Sequence, residues 1–175
     1  MDSYPLSIFY FIKMAKEIQL TKGQVALVDD DMFDYLNQWK WYANEQKNGK
    51  FYAARKIKLN SKETCIIMHR LIINNTDKKL HTDHINGITL DNRKINLRIC
   101  TNSQNQMNRN AQINNKNGFK GVYYNKEKKK YEVIITVNGV RNFLGRYSNI
   151  IDAAKVYNEA AIKYHGEFAN LNKID

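Results

Sequence analysis

The sequence predicts an α+β protein built from small modules, and three observations lead there. Short apolar runs separated by turn residues fill the first third, as strands do. A polar, Asn-rich stretch in the middle reads as a hairpin followed by a helix. The last third passes from three short strand-like runs to a segment with helical apolar spacing. A chain of 175 residues holds one ordinary domain or two to three small modules. The reading places a small strand-rich N-terminal module at residues 1–60, a ββα unit at 61–109 and a linker at 110–117. A three-stranded antiparallel sheet packed on one helix follows at 118–172.

In the first module, TKGQ and KNGK mark turns between strands. VDDDMFDYLNQW reads as a short helix capped by an Asp near Asp30, with Phe33, Leu36 and Trp39 on one face. Trp39 and Trp41 are expected as core and sheet aromatics in preference to a base-stacking platform. TCIIMHRLIIN fits either a strand or a short buried helix, and the sequence leaves both open.

The ββα unit carries the chemistry in HTDHINGITLDNRKINLRICTNSQNQMNR, from His81 to Arg109. LHTDHI is extended, Asn86-Gly87 turns the chain, DNR makes a second corner, and INLRI alternates apolar with polar. Thr101 or Asn102 can cap the helix that follows. If that helix folds back over the hairpin, Asp83 and His84 come near Asn105. A carboxylate and an amide carbonyl are hard oxygen ligands, suited to one Mg²⁺ or Mn²⁺ ion and poorly to zinc. A neutral His84 beside that ion could take a proton from water. The Asn96 amide could hydrogen-bond the other ring nitrogen and fix the tautomer.

The last third contains strand candidates at 121–124, 131–137 and 140–145, and VNGV carries a hairpin Asn-Gly. Ala154, Val156, Tyr157, Ala160, Ala161 and Tyr164 fall at helical spacing, and Gly166 would end that helix. The alanines would let the helix approach the sheet closely. Upstream, NAQINNKNG is polar and turn-rich, as a linker is.

Composition narrows the partner. The formal net charge is +11 and the pI about 9.6, which favour a polyanion. Residues 1–60 carry net +2, residues 61–112 net +4 and residues 113–175 net +5, so that contact is expected from the last two thirds. No apolar run is long enough for a bilayer, and no membrane association is expected. The start, MDSYPLSIFYFIKMAKEIQL, has neither a basic n-region nor a cleavage site, so no signal peptide is read and an intracellular setting is expected. Two cysteines without a CxxC pair argue against a disulfide framework or a zinc knuckle. Cys65 and Cys100 are both expected to be buried.

DHINGITLDNRKINLRICTNSQNQMNR, preceded by HRLI at 69–72, closely resembles the HNH endonucleases of the homing type. The resemblance implies a ββα-metal nuclease core with His84 as general base, Asp83 and Asn105 as metal ligands and Asn96 orienting His84. The third signature position is often His, and the neutral amide of Asn105 would hold its metal more weakly. His69, Gly87 and Asn92 are expected to be structural in the motif, with Asn92 fastening the loop. Arg93 and Arg98 are candidates for phosphate contact or for simple solvation of the surface. His81 is an accessory candidate. The plain alternative for the whole stretch is an Asn-rich loop in an Asn-biased chain.

The segment from Gly118 onward resembles the AP2/ERF DNA-binding domain through KGVYY, NFLGRY and DAAKVYNEAAIKYHGEFANLN. In that family the sheet enters the major groove with the helix behind it. Carried over, Lys120, Tyr123, Asn125, Thr136, Arg141 and Phe143 face duplex DNA. Lys126, Lys128, Lys129 and Lys130 form a basic turn suited to phosphate, or simply a soluble one. Gly145 is expected to serve backbone geometry.

Together these readings give a metal-dependent, site-specific DNA endonuclease with a tethered binder that raises its local concentration. Hydrolysis would leave 5′-phosphate and 3′-hydroxyl ends. A DNA-binding regulator with an inactive nuclease core, and an RNA-directed protein, are the competing classes. A monomer with one site would nick, and a dimer could cut both strands. No obligate protein partner or dimerisation element stands out.

Overall fold

The computed structural model describes residues 15–111 and 115–174. The reading of the first residues as lacking a signal peptide, and the middle of the expected linker, lie outside the described residues. The fold is mixed α+β, with several small sheets. The chain divides into two compact units, Met1–Ile99 and Cys100–Asp175. No described helix is long and apolar enough to cross a membrane.

In the first unit, β1 (Ala15–Gln19) and β2 (Val25–Asp29) form an antiparallel hairpin. Then α1 (Asp30–Asn37) turns Leu36 into the core. Asp29 stands at its N-cap position but makes no side-chain cap bond there. Its carboxylate instead accepts the Lys94 N–H at 2.7 Å, so a long-range tie replaces the expected local cap. Trp41 is buried with its indole N–H on the Leu36 carbonyl, and Trp39 is half-buried.

Next come β3 (Tyr42–Glu45), β4 (Phe51–Leu59) and β5 (Lys62–Ile67), an antiparallel sheet in that order. The ambiguous apolar run is both things at once. It begins as β5 and turns at Ile67 into α2 (Met68–Ile72). Finally β6 (His81–His84) and β7 (Leu97–Cys100) pair as a two-stranded sheet.

One core gathers Ile18, Val28, Leu36, Trp41, Ala53, Met68, Ile72 and Leu97, drawn from both sides of residue 60. Small modules bury too little apolar surface to stand well alone, and a shared core relieves this. The expected boundary at 60/61 falls in the β4–β5 turn, where Asn60 and Ser61 take positive φ. The cysteine expectation is corrected at one position: Cys100 is buried, but Cys65 is exposed on β5. β5 is exposed over its first four residues, of which Cys65 is the last, so Cys65 has no core to enter.

The second unit opens with α3 (Asn102–Met107), held by a capping box between Thr101 and Gln104. Then β8 (Val122–Asn125), β9 (Lys130–Val137) and β10 (Val140–Tyr147) form an antiparallel sheet with β9 central. Asn138 and Gly139 both take positive φ in the β9–β10 turn, as a two-residue hairpin requires. The helix α4 (Ile150–His165) lays Ala153, Ala154, Tyr157, Ala160 and Ala161 against Val122, Val133 and Ile135. Its Tyr164, counted on the apolar face from spacing, is 47% exposed. Gly121 is obligatory: φ is +73° and an added Cβ would lie 2.1 Å from the Tyr157 ring. The tail is stitched back by Asn172, which accepts the Lys120 N–H and exchanges hydrogen bonds with Asn158.

Candidate active site

The segment between β6 and β7 forms a loop whose polar groups are spent on one another. Asn86 accepts from the Ile88 N–H, and Gly87 donates its N–H to the His84 carbonyl. Gly87 takes φ +74°, a conformation that glycine adopts without steric cost. The Asp91 carboxylate, in a residue only 2% exposed, accepts two bonds of 2.7 Å from Arg93 and one of 2.9 Å from Asn86. Arg93 beside it holds the Asp91 carboxyl below the usual carboxylate range. The loop is tied outward too. Leu27 donates to Leu90, Asn92 donates to Leu27, and Thr89 donates to the Phe51 carbonyl. A hairpin loop that would otherwise be mobile is thus pinned to β2 and β4.

His84 ends β6 and is 4% exposed. Its Nε2 meets Asn92 Oδ1 at 3.1 Å. The Asn92 amide is oriented by Nδ2 lying toward the Leu90 carbonyl, so its oxygen faces the ring. An oxygen acceptor at Nε2 requires the proton there, which leaves the lone pair on Nδ1. Burial pushes His84 below its ordinary pKa, against upward pulls from Asn92, Asp83 and Asp91. The ring is therefore neutral near pH 7, as a proton acceptor must be.

Asn92 holds the place at the imidazole that the sequence reading gave to Asn96. The Asn96 amide spends both ends on the loop: Oδ1 accepts from the Asn86 N–H and Nδ2 donates to the Asp91 carbonyl. Asn96 thus fastens the loop and does not meet the ring, while Asn92 meets the ring with its side chain and ties the loop through its backbone N–H on Leu27.

Two further rings flank His84. His69, on α2, lies edge-on at 5.0 Å between centroids, and Tyr52, on β4, lies 6.0 Å away. His69 and Tyr52 also touch each other at 5.3 Å. Burial, then the neighbouring His84, hold the His69 pKa at about 3. His69 is therefore neutral and packs edge-on against the His84 ring. Tyr52 was not foreseen, because alternation along β4 gives its face but not its long-range neighbour. His81 begins β6 and is exposed.

Asp83 is buried beside His84, and its Oδ2 accepts from Arg98 Nε at 3.0 Å and Nη2 at 2.8 Å. The two side chains are 8% and 11% exposed. Arg98 is therefore engaged at the site itself, and Arg93 in the loop. Asn105 lies half-buried in α3, its N–H on the Thr101 carbonyl, in the second unit. Among the described residues, no group of three or more His, Cys, Asp or Glu side chains is disposed to hold a metal. Of the expected ligands, Asp83 offers a hard carboxylate oxygen, the donor type that suits a magnesium-like ion.

On the second unit, the face of the sheet turned away from α4 gathers five of the six carried-over positions. Tyr123, Thr136, Arg141 and Phe143 are exposed there, with Asn125 half-buried beside them. Lys120 is different: its ammonium is buried on the Met107 carbonyl, and desolvation lowers its pKa to about 8. Two charged residues on this face were missed. Glu132 and Arg146 are direct cross-strand partners joined at 2.8 Å, and Asn125 donates to the same carboxylate oxygen at 2.9 Å. Strand alternation from buried Val133 and Ile135 was the signal that could have placed Glu132 outward.

The chain is 28% identical over 169 residues to an uncharacterized HNH endonuclease of Acanthamoeba polyphaga mimivirus, covering 97% of this chain and 83% of that protein. It is also 28% identical over 95 residues to Protein 3.8 of Escherichia phage T7, covering 54% of this chain and 77% of that protein. No family model matches the chain. The chain is thus a remote relative, over most of its length, of a viral HNH endonuclease.

Proposed function

We propose that this protein is a metal-dependent endonuclease of duplex DNA in which His84 is the general base. The observation that carries the reading is the neutral His84, its Nε2 proton held by Asn92, beside the buried Asp83 carboxylate. That tautomer puts the accepting lone pair on Nδ1, where it can receive a proton from the attacking water. Tyr52 and His69 limit the tilt of the ring. Asp83, with Asn105 on the strength of the HNH resemblance, would hold one Mg²⁺ or Mn²⁺. The ion, when bound, stabilises charge on the scissile phosphate. The products carry 5′-phosphate and 3′-hydroxyl.

The outer face of the β8–β10 sheet supplies duplex contact in this reading, as the AP2/ERF resemblance suggests. Arg141, Thr136, Tyr123 and Phe143 are exposed on it, with Asn125 tied to Glu132 and Lys128 beside them. Tethering that face to the nuclease concentrates the catalytic loop near a chosen locus.

The decisive experiment is cleavage of a library of supercoiled plasmids carrying random inserts, with Mg²⁺, Mn²⁺ or EDTA, comparing the wild type with His84→Ala. Metal-dependent nicked or linear product is expected from the wild type. Removing a general base lowers a rate by roughly 10²–10⁴-fold, so the variant should give none on the same timescale. One observation favours a second reading. Arg98 already neutralises Asp83, as it would in an inactive core retained for DNA binding. Tight duplex binding by wild type without cleavage in either metal would select that reading.

A further inference from the structure

The outer face of the second unit's sheet has a charged centre. Glu132 lies on central strand β9, with Tyr123 opposite it on β8 and Arg146 opposite it on β10. Both Asn125 Nδ2 and Arg146 Nε donate to Glu132 Oε1. Their shared acceptor fixes the carboxylate and leaves Oε2 with no protein donor among the described residues. Arg146 is also steadied over the Phe143 ring, its Cζ 5.0 Å from the centroid. Its side chain remains 47% exposed, against 20% for that of Glu132. Only Nε is spent on Glu132, so the two terminal nitrogens remain to donate.

The Nε–Oε1 bond of 2.8 Å thus holds the terminal donors of Arg146 next to the remaining acceptor, Oε2, of Glu132. A base pair presents the complementary arrangement on its major-groove edge. In a G·C pair, the O6 acceptor of guanine lies next to the N4 donor of cytosine, because the two are hydrogen-bonded to each other. We infer that Glu132 and Arg146 together read one G·C pair, with Arg146 on guanine and Glu132 on cytosine. The inference rests on the reading of this face as the duplex-binding surface.

The choice against other pairs follows from what flanks those two atoms. A T·A pair in the same orientation also offers an acceptor beside a donor. Thymine, however, places a methyl where guanine offers N7, so Arg146 loses its second hydrogen bond. Adenine places its N7 acceptor toward Glu132, which repels a carboxylate, whereas cytosine offers no such lone pair. In the reversed C·G pair the cytosine amino group meets a cation and the guanine oxygen meets an anion. Asn125 and Phe143 serve as positioning residues, holding Glu132 and Arg146 without reading the base themselves.

The test is selection of binding sites from a randomised duplex library. The full chain would be used in a His84→Ala background so that bound DNA stays uncut, comparing E132Q and R146K with the parent. Circular dichroism on each variant confirms that the second unit folds. The parent should enrich sites with one G·C position favoured roughly tenfold or more, the range of one good bidentate contact. R146K keeps the charge but loses the planar fork, and should cut that preference to about threefold or less without abolishing binding. E132Q keeps an amide oxygen for Asn125 and Arg146 but adds a donor. The same position should then drift toward T·A, because the new NH2 meets a donor on cytosine but can donate to adenine N7. A parent motif without such a position, or one unchanged in both variants, overturns the inference and leaves the surface a duplex binder. If no duplex is retained at all, the reading of the face fails and the inference falls with it.

Discussion

The loop between β6 and β7 and the outer face of the β8–β10 sheet are both rich in polar side chains, and they use them in opposite ways. In the loop, Asn86, Asp91, Asn92 and Asn96 are bonded to one another or to neighbouring backbone. Asp91, Asn92 and Asn96 are all buried. On the sheet, Arg141, Thr136 and Tyr123 are exposed, around a centre where Asn125, Glu132 and Arg146 are tied to one another. A loop whose polar groups are consumed internally holds a neighbouring imidazole in one orientation. A sheet whose polar groups point outward is open to a partner. Polarity in a sequence does not distinguish the two; the partner of each group does.

The largest expected consequence falls on the loop. Asp91→Ala removes the acceptor for Arg93 and Asn86 and strands their donors. Breaking such a network costs about 2–3 kcal/mol, tempered here because Arg93 is 35% exposed. Chemical denaturation should show the first unit weakened by that amount with the second unit unchanged. Cleavage should fall with it, since the same loop carries Asn92 to His84. Unchanged first-unit stability would mean that the Asp91 network is not what fixes the loop.

Much of the sheet module was legible because its signals are local. Buried Val133 and Ile135 alternate, Asn138-Gly139 demands a tight turn, and the alanines of α4 recur at helical spacing. The loop was legible only as a motif. Which of Asn92 and Asn96 meets the imidazole could not be read, because both are Asn on one short loop and their partners are set by tertiary ties. Leu27 and Asp29 supply those ties from far upstream, through the Leu90, Asn92 and Lys94 backbone. Arg98 shows the same limit. Its charge suggested phosphate, but pairing across β6 and β7 delivers it to Asp83.

A smaller effect on the first unit follows pH. His69 has a folded pKa of about 3 against an ordinary 6.5, and His84 is also lowered. Below about pH 6.5 the unfolded chain binds protons that the folded first unit refuses. Its stability should be fully present above that pH and fall by on the order of 1 kcal/mol per pH unit as acid is added. Between pH about 6.5 and 5 the lowered carboxylates, Asp91 and Glu132, are not yet titrating. Thermal unfolding of the first unit should therefore shift across that window, and His69→Gln should flatten the slope. An unchanged slope in His69→Gln would show that this buried imidazole does not govern the first unit's acid response.

The smallest effect on stability is expected on the sheet face, where it is also the most telling. Arg141 is exposed on β10 opposite Thr136. No described group depends on its charge, so Arg141→Ala should change unfolding by less than about 0.5 kcal/mol. If the face contacts duplex phosphate, the same variant should weaken binding and reduce the slope of log affinity against log salt by about 0.9. The loss should be nearly uniform across sequences, because a phosphate contact carries no base information. The corresponding change at Arg146 should alter sequence preference instead. Two arginines on one strand would then be divided between holding the duplex and reading it, and a stable variant that binds with an unchanged salt slope would remove Arg141 from the first of those roles.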